Sequence, residues 1–217
     1  YHRILPQNAK DTYTEFDVVD FQMSFPERAL VAGSVRLEGE VDVLVDGAIT
    51  LNRAVATTIG INADKLNVVI DGSAGAHSFI ETATTQIGGQ VVESLGDYAR
   101  YVKMSACAMT SKADNNNSSA VCELKAVSDL ATNNILKGEL VATDPTMADG
   151  LPLRNAPDFS IKPRICLNGG RGNIAHKKTG DITLSFNLAR NYGAIFGIDN
   201  SSVVSYNLRN LRLTFNP

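Results

Sequence analysis

The chain has 217 residues, a formal net charge of −3 from 20 Lys and Arg against 23 Asp and Glu, and no tryptophan. That length buries a substantial core in one large domain, and the charge supplies no overall field to attract nucleic acid or anionic lipid. Its longest apolar runs fall far short of the ~20 residues that cross a bilayer as a helix, and no basic-then-apolar leader opens it.

Residues 1–13 contain Pro6 and no hydrophobic period, which predicts an extended N-terminal arm ahead of a body spanning 14–217. Phe16 and Val18 alternate, then the apolar phase shifts to Val19, Phe21, Met23 and Phe25, as a β-bulge would produce. Pro26, Glu27 and Arg28 predict a turn. Residues 34–45 carry the clearest pattern, with Val35, Leu37, Val41, Val43 and Val45 on one parity and Arg36, Glu38, Glu40 and Asp42 on the other. Because successive side chains of a strand point to opposite faces, this segment buries one face and wets the other.

Asp46-Gly47 and Asp71-Gly72 signal tight turns, the first leading into 49–51 and the second closing a strand at 66–70. A strand over 79–85 ends at Gly88-Gly89. Val91, Leu95, Tyr98, Val102 and Met109 then fall at helical spacing and predict one inserted helix across 91–109. Short strands are expected at 121–127 and 135–142, a polar loop at 114–119 and a proline-rich connection at 143–157. Alternation returns at 161–167 and 181–188, and a last strand at 203–215 changes phase near Arg209-Asn210, which predicts a second bulge. About eight strands, far apart in sequence and joined by turns, with one inserted α-helix, give an all-β jelly-roll sandwich.

No chemistry-bearing motif accompanies this pattern. Gly169, Gly170 and Gly172 lack the Gly-Lys-Ser/Thr and following helix of a phosphate loop. His2, His77 and His176 have no zinc-ligand spacing, and Asp71, Asp144 and Asp149 form no calcium-loop string. Ser73 and Ser78 flank His77 near Asp71 without a nucleophile elbow. Glu38 and Glu40 share a strand face as paired glycosidase acids sometimes do, but solvent exposure accounts for their polarity. Cys107, Cys122 and Cys166 form no CxxC; at most one internal pair could form, and buried free thiols are the plainer expectation. The triplets at Asn116, Asn117 and Asn200 fit the glycosylation pattern at a frequency chance explains, and His176, Lys177 and Lys178 form a solvated turn. Without tryptophan, the stacking platforms typical of sugar-binding and single-stranded nucleic-acid faces are poorly supplied. No catalytic, cofactor-binding or metal residues are assigned, so an enzyme is not expected.

Residues 11–39, with Asp11-Thr12-Tyr13-Thr14-Glu15-Phe16-Asp17 and Arg28-Ala29-Leu30-Val31-Ala32-Gly33-Ser34-Val35, resemble the opening strands of jelly-roll viral capsid proteins. Asp97-Tyr98-Ala99-Arg100-Tyr101 after a Gly-Gly turn, then Ser160-Ile161-Lys162-Pro163-Arg164, Thr179-Gly180-Asp181-Ile182-Thr183-Leu184 and Phe196-Gly197, are similar to the double-jelly-roll lineage of tailless icosahedral DNA viruses and phages. The resemblance implies a structural subunit of a virion, assembled in a host cell through sheet edges, loops and the N-terminal arm. Its implied partners are identical subunits and other capsid proteins, with an internal membrane as a further contact. Nucleic acid, small-molecule substrates and cofactors are not expected. Two complete rolls usually need a longer chain, so the body reads as a single roll or as one half of a double one. A carbohydrate- or receptor-binding sandwich of a virion spike is the alternative reading of the same fold.

Overall fold

The computed structural model describes residues 1–45, 48–49, 68–70, 74–109, 122–124, 158–170, 172–197 and 204–217. Two antiparallel sheets face each other across one core. In the first, β1 (His2–Ile4) pairs with β13 (Val204–Phe215), which pairs with β4 (Arg36–Val45). The far side of β4 holds β5 (Ala48–Ile49) at one end and β9 (Asp158–Ile161) at the other. The second sheet runs β2 (Val18–Met23), β11 (Ile182–Leu188), β7 (Ile80–Ile87) and β8 (Gln90–Leu95). Two small ribbons join β3 (Ala29–Leu30) to β10 (Ile174–Ala175) and β6 (Val68–Ile70) to β12 (Ile195–Gly197).

The pairing order defines the architecture. Taken in chain order, β1, β2, β4, β7, β8, β9, β11 and β13 pair first with last, second with seventh, third with sixth and fourth with fifth. A long hairpin rolled on itself into two sheets has this order, and it is the jelly roll expected from the sequence.

The strand period builds the core. Val19, Phe21 and Met23 of β2, Leu184 and Phe186 of β11, Leu37 and Val41 of β4, and Tyr206, Leu208 and Leu213 of β13 are all buried. Phe21 meets Phe186 edge-on at 6.2 Å, and Phe79 meets Tyr206 at 4.8 Å between ring centroids, separations that aromatic pairs favour. The expected bulge in β13 is present. Its register to β4 shifts between Arg209 and Arg212, and Asn210 takes φ 50°, so Leu208 and Leu211 both point inward.

Several boundaries differ from the sequence reading. Residues 90–95 form strand β8, and helix α1 covers only Tyr98–Met109. Val91 and Leu95 fall at helical spacing, but a register shift between Thr85 and Gln86 sets Val91 opposite Gln86 on the outer face and Leu95 opposite the buried Ala83. Gly88 (φ 58°) and Gly89 (φ 80°) make the turn that lays β8 against β7, and Asp97 (φ 48°) separates β8 from α1. The phase change after Phe16 is no bulge within a strand. Phe16 sits at φ 66° before β2 begins, so its side chain is outside the alternation. Inward and outward alternation does continue from Ile161 to Leu167, yet ladder pairing stops at Ile161, ahead of Pro163, which has no N–H to give. A helical turn at Cys166–Gly169 follows.

Residues 1–13, expected as an arm, lie against the body. His2–Ile4 is the edge strand of the first sheet, Gln7 N–H donates to Asp20 O at 2.7 Å, and Tyr13 is buried. Residues 122–124 contain helical and turn backbone where a strand was expected. The remainder of that strand, the one at 135–142 and the loops at 114–119 and 143–157 lie outside the described residues, as do both Asp-Gly turns.

Candidate assembly surfaces

The two outer faces of the sandwich differ chemically. On the first sheet, cross-strand register sets Glu38 opposite Arg212 and Glu40 opposite Arg209. Arg212 Nε donates to Glu38 at 2.8 Å, and Thr214 Oγ1 donates to the same carboxylate at 3.3 Å. Asn210 Nδ2 donates to Glu40 at 2.6 Å. Arg209 contacts Glu40 at 3.5 Å and also grips the buried Asp42, with Nη2 3.0 Å from Oδ1 and Nε on Oδ2. The polarity of Glu38 and Glu40 therefore reflects more than solvent exposure: both are partly buried and held by β13. Arg3, Glu38, Glu40, Cys122, Asp158 and Arg212 help line a cleft of about 320 Å³ on this face. Opposite charges directly across an antiparallel pair stabilise it, so the ladder is explained as strand pairing, with no need for acid–base chemistry.

Among the described residues, the paired rows on the outer face of the second sheet hold little charge, with Asp181 bonded to Gln22 at one end and exposed Glu81 next to Thr82 at the other. The sheet's register forms cross-strand rows of Val18, Asn187 and Thr82, then Asp20, Ser185, Thr84 and Ser94, then Gln22, Thr183, Gln86 and Val91. Asp20 is the single formal charge in these rows, and Ser185 Oγ donates to it.

The end loops place aromatics in solvent. Arg190 lies over the exposed Phe16 ring at 5.4 Å, and its Nη1 donates to Oη of the exposed Tyr192 at 2.8 Å. Asn191 N–H donates to Glu15 Oε2 at 3.0 Å, tying this loop to the one before β2.

Among the described residues, His77 and Ser78 are each engaged in the fold. His77 is buried in a 3-10 turn (Gly75–Phe79), with Nδ1 3.1 Å from Tyr98 Oη. That hydroxyl accepts Arg164 N–H at 2.8 Å, and burial pushes its phenol well above the usual tyrosine range. Tyr98 thus ties α1 to two other segments of the fold. Ser78 Oγ donates to Gly75 O and Ala194 O. Asp71 and Ser73, with Asp144, Asp149, Asn116, Asn117 and Asn200, lie outside the described residues. His2 stacks near Phe215, while His176 packs on Phe25 and sits 2.9 Å from Asp181. Through the His176 hydrogen bond, followed by those of Ser24 and Gln22, the Asp181 carboxyl is held below its ordinary value. Among the described residues, no group of three His, Cys, Asp or Glu converges as a metal site would require.

Gly169 closes its helical turn, and Gly170 and Gly172 lie outside helix and strand. Cys122 and Cys166 are exposed free thiols where buried ones were expected. Cys166 takes an outward position in the alternation after β9, and partial burial beside Glu93 raises its thiol pKa. Cys107 lies in α1.

No known protein family and no curated protein matches the chain. Solved structures do. The fold aligns with the major capsid protein of mavirus at TM-score 0.50 and 12% identity, covering 100% of this chain and 46% of that one. The fold is that of the jelly-roll capsid proteins. The PBCV-1 virus capsid, and the PBCV-1 protein fitted into a reconstruction of the virophage Sputnik, each align at TM-score 0.43 and 11% identity over 99% of this chain and 42% of theirs. The chain therefore spans less than half the length of these capsid-type jelly rolls.

Proposed function

We propose that this chain is a structural subunit of an icosahedral viral capsid, a non-enzymatic protein that associates with identical subunits and other capsid proteins in the virion. The observation that carries this reading is the first-with-last strand order of the jelly roll, combined with alignment of the whole chain to the mavirus major capsid protein. Eight strands complete one roll while the chain spans 46% of that protein. This supports a capsid-type roll whose first strand is His2–Ile4, within the segment expected as an arm, and which forms one half of a double jelly roll.

The surfaces fit such a role. Acids that might catalyse are engaged in strand pairing, whereas sheet edges and aromatic end loops are presented outward. Exposed Phe16, Arg190 and Tyr192 belong to the residue types that dominate protein contacts. Shells hold together by summing many modest interfaces.

The test is the mass of the purified protein by light scattering, with electron microscopy of the same sample. Closed rings, trimers or shells support the reading. A stable monomer at every accessible concentration, alone and with co-expressed capsid partners, overturns it.

A further inference from the structure

We propose that the outer face of the second sheet is where two copies of this chain meet, in a contact related by a two-fold axis. The proposal deepens the capsid-subunit reading, on which it rests for the premise that copies associate.

A two-fold interface brings a patch against itself. A patch rich in one charge would then meet like charge, and charged groups paired within their own subunit would lose solvation on burial. The first sheet's outer face is of that kind, with Glu38, Glu40, Asp42, Arg209 and Arg212 already satisfied internally. The second sheet's face is not. Thr82, Thr84, Gln86, Thr183, Ser185 and Asn187 occupy adjacent cross-strand positions. Hydroxyls and side-chain amides each donate and accept, so such a surface is complementary to its own copy in either role. Exposed Val18 and Val91 add apolar area at opposite edges, and Thr84 and Ser94 hydroxyls already approach at 3.5 Å. Depletion of charge at the centre is what distinguishes interface cores from ordinary surface.

The experiment measures association by sedimentation velocity for the wild type, Thr84→Lys/Thr183→Lys, Thr84→Glu/Thr183→Glu and Ser160→Lys, the last placing one cation on the first sheet's face. Each homogeneous double variant is expected to weaken association at least about tenfold through like-charge repulsion. Mixing the Lys and Glu variants should restore it, which a misfolded variant would not do, and Ser160→Lys should match the wild type. Unchanged association in both double variants, failure of the mixture to recover, or equal weakening by Ser160→Lys overturns the assignment, as does a monomeric wild type. Electron microscopy of the same samples separates the two readings. Shells from the double variants leave the capsid role standing and remove this face from it. Two-fold dimers lost in the double variants, from a wild type that forms no higher assembly with its partners, keep the face and remove the capsid role.

Discussion

The side-chain amide of Asn168 pairs with the backbone of Val35 in both directions. Asn168 Nδ2 donates to Val35 O at 3.0 Å, and Val35 N–H donates to Asn168 Oδ1 at 3.2 Å. Nδ2 also donates to Pro163 O at 2.7 Å. One side chain therefore substitutes for a strand partner just before β4 begins. Val35 is fully buried, so its peptide groups have no ready access to water. Asn168→Ala is expected to lower stability by about 1–3 kcal/mol, the cost of leaving buried polar groups unpaired. The urea midpoint measures this, and an unchanged midpoint would show that water replaces the amide at no loss.

Gly39 faces the β13 bulge with no room for a side chain. A Cβ there would lie 2.6 Å from Leu211 Cδ2 and 3.1 Å from both Arg209 O and Phe159 Cζ. The bulge turns Leu211 inward, so the missing methyl on β4 and the extra residue on β13 are two parts of one fit. Gly39→Ala should destabilise by about 1–3 kcal/mol through overpacking. Gly96, whose Cβ would meet nothing within 4 Å, supplies the control. Comparable thermal midpoints for Gly39→Ala and Gly96→Ala would contradict this account.

Asp42 and Arg209 form the buried end of the charge ladder. Removing Asp42 leaves the buried Arg209 with the longer 3.5 Å Glu40 contact in place of its close partner, so Asp42→Ala is expected to cost up to about 3–5 kcal/mol. Replacing both with apolar residues, as in Asp42→Leu/Arg209→Met, should recover much of that loss, because a buried pair spends most of its attraction on desolvation. Chemical denaturation of the single and double variants checks both signs. A double variant less stable than the single would mean that Glu40 depends on Arg209 as well.

The sheets were legible because their signal is local: β4 and β11 alternate residue by residue, and the 209–210 phase change marks a real bulge. A bulge in the β7–β8 pairing is invisible in one sequence, so Val91 and Leu95, four apart, were read into α1. Composition likewise cannot tell an arm from an edge strand, since His2, Arg3 and Ile4 acquire their strand character only from Phe215, Thr214 and Leu213 across the ladder. The outer faces were half visible. Alternation showed which side chains leave the core, but the pairing of Glu38 with Arg212 spans 174 positions and needs the topology. Asn168 carried no signal, because an asparagine beside glycines looks like any turn.

Acid should loosen the N-terminal segment first. Burial raises the Asp17 pKa, but hydrogen bonds from Lys10 and from Thr14 N–H and the Lys10 charge outweigh it and hold the carboxyl below its ordinary range. A carboxylate whose folded pKa is depressed contributes stability that is complete above its unfolded value and is lost as pH falls through the folded one. The expected result is a pH-dependent loss below about 4 that Asp17→Asn lacks. Parallel acid dependence in the wild type and Asp17→Asn would assign the loss to other carboxylates, Asp181 foremost.

Deleting residues 1–12 should weaken both the fold and its assembly. The deletion strips β1 from β13 and exposes that strand's outer edge. It also removes the Gln7 and Asn8 contacts along β2, where Asn8 Oδ1 accepts Asp20 N–H at 3.3 Å and Asn8 Nδ2 donates to Val18 O. Uncovered edges invite pairing with other chains, so off-pathway aggregation should accompany the lower melting temperature. Tyr13 remains, and its backbone bridge to Leu208, with N–H and O each 2.8 Å from its partner, retains one anchor against β13. The truncated chain should therefore fold at low temperature while melting earlier than the full chain. Differential scanning calorimetry and electron microscopy of both forms provide the comparison. Unchanged melting and assembly would mean that residues 1–12 rest on the sandwich without supporting it, and that the edges of β13 and β2 tolerate exposure.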